Sequence, residues 1–99
     1  MVNSIVSSPR GVLSPQQALR LANVYLENAC NADDADIALV LCHDTEVSLS
    51  NAKNAAKRVD DQSVIREIGA VYIKLGQLLE DRGYVKEAEV SYKKAEKLG

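Results

Sequence analysis

Cys42-His43-Asp44 brings together the side-chain types of a thiol nucleophile, its base and an orienting acid. The three are consecutive in a stretch of helical periodicity, where neighbours project about 100° apart and cannot face one another. Cys42 takes a position on the apolar stripe, while His43 and Asp44 turn away from it. The expectation is a buried structural thiol beside surface polar groups. A metal site would need three or four ligands, and the chain offers one histidine and two cysteines without a second cluster. A Cys30–Cys42 disulfide is not expected, because Cys30 falls at a hairpin end and Cys42 two turns up the next helix, roughly 10 Å away and beyond bridging reach. Glycine-rich phosphate loops, nucleophile elbows and paired-carboxylate patterns are absent from the sequence. This reading expects no enzyme, no cofactor and no metal.

The elements that carry these residues are helical. Pro9 and Pro15 precede the first helix, and beyond Gly11 the glycines are Gly69, Gly76, Gly83 and Gly99. Strand-like alternation of β-branched residues is missing, so the chain reads as all-α. Its 99 residues, 46% hydrophobic and 26% charged, suit one domain with a modest core. Residues 1–13 read as a flexible N-terminal lead and 14–99 as a single helical domain. Ser8-Pro9 and Ser14-Pro15 have the form of proline-directed phosphorylation sites. No run of about 20 apolar residues occurs, and the first residues lack the form of a signal peptide, so no membrane partner is expected. Two cysteines in such a chain suggest an intracellular, cytoplasmic setting. The net charge of −2 argues against a nucleic-acid partner. Residues 1–50 hold two basic and six acidic side chains, and residues 51–99 ten and eight, so the halves carry −4 and +2. Such a dipole can orient a partner or a second copy. Lys53, Lys57, Arg58 and Arg66 cluster around the second interhelix turn, but Asp60, Asp61 and Glu67 are interleaved with them, which describes a solvated, salt-bridged face.

Four helices follow in order. The first starts at Ser14, with Pro15 at the first helical position and Gln17 completing a capping box, and runs to about Cys30. Ala18, Leu21, Ala22, Tyr25 and Ala29 form its expected core face, with Leu19 and Leu26 beside it. Asn31-Ala32-Asp33-Asp34 makes a turn whose aspartates can cap the next helix. The second helix spans Ala35 to Val59, at about 37 Å against about 24 Å for the first. Ala38, Cys42, Thr45, Leu49, Ala52, Ala56 and Val59 give it a stripe of period 3.5. Its start, Ile37 to Cys42, is apolar all round and is expected to be enclosed on several sides. Asp60-Asp61-Gln62-Ser63 closes it and caps a third helix over Val64 to Arg82. A fourth runs from Val85 to Leu98, with Lys93, Lys94 and Lys97 suiting the negative end of its dipole.

The last two helices carry a spacing of large and small residues. Tyr72, Leu75, Gly76 and Leu79 occupy the third, Gly83 and Tyr84 the turn, and Ala88, Tyr92 and Ala95 the fourth. A glycine in mid-helix costs roughly 1 kcal/mol relative to alanine, which makes sense where another helix crosses closely. Tyr92 would fill the space between the two helices. The stretch Gly69 to Gly99 resembles a tetratricopeptide repeat, a unit of about 34 residues built as helix A, turn and helix B. An internal repeat agrees with it: residues 19–27 match residues 73–81 class for class, 54 positions later. The first and third helices then look like A helices and the second and fourth like B helices, a four-helix antiparallel array of two pairs. The period exceeds the family's because the second helix is unusually long, so the first unit is degenerate. The last unit stops about three residues short of completion, which leads us to expect a continuing parent chain.

The resemblance implies a scaffold that binds a peptide or helix of a partner protein along its A helices. Carried onto this chain, the groove positions are Arg20, Asn23 and Glu27 on the first helix and Lys74, Gln77 and Asp81 on the third. Base, amide and acid recur in the same order on both. The arrangement that clamps a C-terminal carboxylate needs a further lysine where this chain has Leu19 and Ile73, so chaperone-tail binding is not expected. A related alternative is a microtubule-interacting-and-transport-like bundle of three helices that receives a partner helix. The rival reading is a self-associating module that builds a homodimer or larger assembly, since two repeats are fewer than a stable stack usually requires.

Overall fold

Ser14 opens the first helix as its side-chain oxygen accepts a hydrogen bond from the Gln17 backbone N–H at 3.2 Å, while the Gln17 side chain accepts from the Ser14 N–H at 3.1 Å. With Pro15 in the first turn, this capping box makes α1 (Pro15–Asn31) the most explicitly signalled element of the chain. The computed structural model describes residues 13–98. Apart from Leu13, the N-terminal lead with its Ser8-Pro9 dipeptide lies outside the described residues, as does Gly99. The Ser14 hydroxyl of the second dipeptide is engaged in the cap.

Asp34 caps α2 (Ala35–Arg58) by accepting from the N–H groups of Asp36 and Ile37. The helix ends where Asp60 takes a positive φ of 53° and the Asp61 N–H donates back to the Ala56 carbonyl at 2.9 Å. Asp61 then caps α3 (Gln62–Asp81) by accepting from the Val64 N–H. The third helix therefore starts two residues earlier than its periodicity alone suggests, and Ser63 lies inside it. Gly83, at φ 91°, closes α3, with the Tyr84 N–H donating to the Leu79 carbonyl at 2.8 Å. The last helix is α4 (Val85–Leu98).

The fold is all-α: α1 packs against α2, α3 against α4, and α3 joins the pairs by touching both α1 and α2. The Cα extents are 47 × 30 × 15 Å, and the short dimension holds two helix layers, α1 with α3 and α2 with α4. Leu49, Ile68 and Leu75 are fully buried at the centre, with Ala22, Ala29, Ala52 and Ala56 keeping the helices close. Three polar side chains, Thr45, Ser48 and Ser91, are buried with them, and two of their hydrogen bonds are explicit. The Ser91 hydroxyl donates to the Tyr72 carbonyl at 2.7 Å across the α3–α4 crossing, and the Thr45 hydroxyl donates to the Leu41 carbonyl one turn back.

Three expectations about helix faces need correction. On α1 the core residues are Leu19 and Leu26, whereas Leu21 is exposed and Tyr25 only half-buried. Both flanks of the alanine stripe are apolar, and α3 covers the Leu19 side. The start of α2 is not enclosed: Ile37 and Val40 are more than half exposed and Leu39 is exposed, because neighbours cover α2 on its inner side alone. Val59 is also 63% exposed, being the residue at which α2 stops.

Candidate functional site

A groove runs between α1 and α3 on the layer opposite α2 and α4. Leu19 and Leu26, the α1 side chains that α3 covers, form its apolar floor. Arg20, Asn23 and Glu27 project from α1, and Glu67 and Lys74 from α3, with Gln16 at the end nearest the α1 N-terminus. That end is fastened by the Gln16 side-chain amide, which donates to the Asp61 carboxylate at 3.1 Å. Four of the six positions marked in the sequence, Arg20, Asn23, Glu27 and Lys74, thus wall one concavity. Gln77 and Asp81 are exposed on α3 but lie outside this lining. The sequence assigns Glu67 to a salt-bridged face around the second interhelix turn, but none of those charges forms a salt bridge among the described residues. Glu67 sits seven residues before Lys74 on the same helix face and could have been placed in the groove from that spacing.

The charges of this groove have no ionic partner among the described residues. Among the described residues one salt bridge forms, Lys94 with Glu46 at 3.2 Å on the α2–α4 layer, so Arg20, Lys74, Glu27 and Glu67 have no ionic partner. Two cations and two carboxylates around an apolar floor, with the donor and acceptor groups of Asn23 and Gln16, can take up both the backbone and the charged side chains of a ligand.

The far end of the groove depends on a residue that the sequence left unmarked. Arg82, half-buried after the last turn of α3, donates through one guanidinium nitrogen to the carbonyls of Ala29 (3.3 Å), Cys30 (3.3 Å) and Ala32 (2.9 Å). It therefore joins the Ala32 N–H on the Ala29 carbonyl and covers the Cys30 and Ala32 carbonyls at the C-terminal end of α1, fixing that end against the end of α3.

The Cys42-His43-Asp44 triplet is not an assembled site. Cys42 is buried, His43 is exposed, Asp44 is half-buried, and no hydrogen bond joins them. Burial pushes the Cys42 thiol above its ordinary pKa, aided by Cys30 and Glu46 and opposed by Arg82. Burial raises the Tyr72 hydroxyl as well, with Glu46 adding to it. Both cysteines are free, Cys30 at the surface. Among the described residues no group of three or more His, Cys, Asp and Glu is placed to hold a metal ion, and no helix is long and apolar enough to cross a membrane.

Two outcomes follow. A disulfide-forming thiol reagent at mildly alkaline pH is expected to modify Cys30 rapidly and Cys42 only after denaturation; two fast native thiols would contradict the burial of Cys42. Because both folded-state pKa values are raised, the stability these groups contribute is complete below their unfolded values. It is lost as pH rises, from about pH 8.5 for Cys42 and about pH 10 for Tyr72. Urea midpoints should therefore fall through the alkaline range, and less so in a Cys42→Ala protein over the first part of that window.

Comparison of the chain with known protein families, with curated proteins and with solved structures finds no match in any of the three.

Proposed function

We propose that this protein is a non-enzymatic interaction module of tetratricopeptide-like build, binding a peptide or helix of a partner protein in the α1–α3 groove. The observation that carries the reading is the groove itself: an apolar floor of Leu19 and Leu26 rimmed by amides and by charges of both signs that are unpaired among the described residues. The tetratricopeptide-like build is supported by the close seat of Tyr92 against Gly76 and by the burial of Ala88 between α3 and α4. The two free thiols favour an intracellular, cytoplasmic setting.

Panning a displayed library of random peptides on the full chain, followed by fluorescence titration of enriched sequences, tests this. Peptides binding at roughly micromolar Kd are expected. Arg20→Glu combined with Lys74→Glu should weaken them at least about tenfold, a loss of about 1.4 kcal/mol, with the melting temperature unchanged. Enriched peptides indifferent to both substitutions would overturn the groove as the binding site.

A further inference from the structure

The outer edge of the second helix pair is an apolar strip with no neighbour among the described residues. Ile73 is 44% exposed there, next to exposed Ala70 and half-buried Gly69, Tyr92 and Leu98. The internal repeat says what kind of surface this is. Ile73 corresponds to Leu19, 54 residues earlier, and Leu19 is 7% exposed because α3 packs over it. The second pair therefore presents to solvent the position that the first pair uses to receive a helix. In a repeat array such an edge is covered by a further helix or made of polar side chains, and among the described residues Ile73 and Ala70 have neither.

Charge selects the occupant. Arg66 stands on the α3 wall of the strip and Glu96 on the α4 wall, and neither forms a salt bridge among the described residues. The two helices are antiparallel, with Gly69 level with Ala95: a Cβ at Gly69 would lie 3.9 Å from the Ala95 carbonyl. Arg66 and Glu96 lie within one turn of that level and towards the same end, one on each side of the apolar strip. A twofold axis parallel to the helices lays α3 of one molecule over α4 of another. It then sets Arg66 against Glu96 of the second copy and Glu96 against its Arg66, with Ile73 and Ala70 between. The small side chains of Gly69, Ala70 and Ala95 let the helices approach.

We propose that this edge is the seat of a second copy of the chain, forming an isologous dimer held by an apolar centre and two reciprocal Arg66–Glu96 pairs. The α1–α3 groove lies on the other side of the exposed ridge of α3, so the dimer leaves it open. The rival apolar cleft between α2 and α4, around Val40 and Val90, has its Glu46 already paired with Lys94, and its remaining carboxylate, Glu87, has no lysine or arginine in the lining with which two copies could form reciprocal pairs.

The test is light scattering behind a sizing column on the full chain, over a dilution series reaching roughly millimolar. The expected result is a species of 10.8 kDa when dilute that doubles in mass as concentration rises. Ile73→Glu should abolish the doubling. Ala70→Arg serves the same purpose if that variant loses the helical circular dichroism of the parent. Arg66→Glu and Glu96→Arg should each raise the dissociation midpoint about tenfold, and the two together should bring it back to within about threefold of the parent. Three results would overturn the proposal: a constant monomer, a dimer indifferent to Ile73→Glu and Ala70→Arg, or single charge reversals that the double reversal fails to rescue. A dimer that forms only after removal of residues 1–12 would overturn it too, by assigning the strip to the chain's own N-terminus. Arg20→Glu with Lys74→Glu should leave the dimer intact, which separates this test from that of the groove.

Discussion

Replacing Arg82 by alanine is expected to destabilise the protein by about 2–3 kcal/mol, lowering the melting temperature by roughly 10–20 °C. One guanidinium nitrogen serves three carbonyls at the end of α1, and the side chain is half-buried where α1, the first turn and α3 meet. Its loss strands acceptors that water reaches only in part, and hydrogen bonds from a charged donor are worth about 1.5–3 kcal/mol. Lysine should restore only part of the loss, because its ammonium is more strongly hydrated and sits on a flexible stem, so holding it at the three carbonyls costs more. Arg58, exposed at the end of α2, makes a control whose alanine variant should fall within about 0.5 kcal/mol of the parent. Urea unfolding of the three variants decides the matter, and an Arg82→Ala protein as stable as Arg58→Ala would refute the capping role. The same substitution should also raise amide hydrogen exchange in the last turn of α1 before the rest of the helix opens.

The Gly76→Ala protein is expected to be less stable by about 2 kcal/mol, although alanine is the better helix former by about 1 kcal/mol. A Cβ at this position would lie 2.6 Å from Cε1 of Tyr92 and 2.9 Å from Cδ1 and Cζ. The ring would have to swing out of its seat. That movement would also give up the bond by which its hydroxyl donates to Glu80 at 3.0 Å. The sign should reverse once the ring is gone. In a Tyr92→Ala background, Gly76→Ala should stabilise by about 1 kcal/mol through helix propensity alone, so the double-mutant cycle carries a coupling near 3 kcal/mol. Equal effects in both backgrounds would show that the glycine is there for some reason other than the tyrosine. Gly83 offers a contrast. It has open space around its Cα but a φ of 91°, so substitution there strains the backbone while leaving packing untouched.

Much of the architecture is local chemistry and was legible before any coordinates. The Ser14–Gln17 box, the Asp34 and Asp61 caps and the Gly83 stop are pairs of groups within a few residues of one another. Capping chemistry identifies such ends wherever the helix goes afterwards. The same holds for the Gly76–Tyr92 contact, since a glycine costing stability in mid-helix calls for a large side chain opposite it. Four of the groove positions, Arg20, Asn23, Glu27 and Lys74, were marked because the family resemblance implies that polar residues between the packing positions line a groove, and the internal repeat agrees with it.

What the tertiary structure decided is which of several apolar faces is covered. α1 offers Leu21 and Tyr25 on one flank of its alanine stripe and Leu19 and Leu26 on the other. A periodicity cannot choose between two flanks of equal hydrophobicity, and the position of α3 does. The apolar start of α2 looked like an enclosed segment, yet Ile37 and Val40 face outward, because enclosure depends on how many neighbours arrive and not on the segment's own composition. Arg82 shows the same limit for polar groups: its partners lie 50 to 53 residues away, and only the meeting of two helix ends makes it a cap. Local hydrogen-bond chemistry and helix periodicity, both short-ranged, thus determined where the four helices lie along the chain, whereas packing between distant residues selected their buried faces, the walls of the groove and the strip left open at the edge.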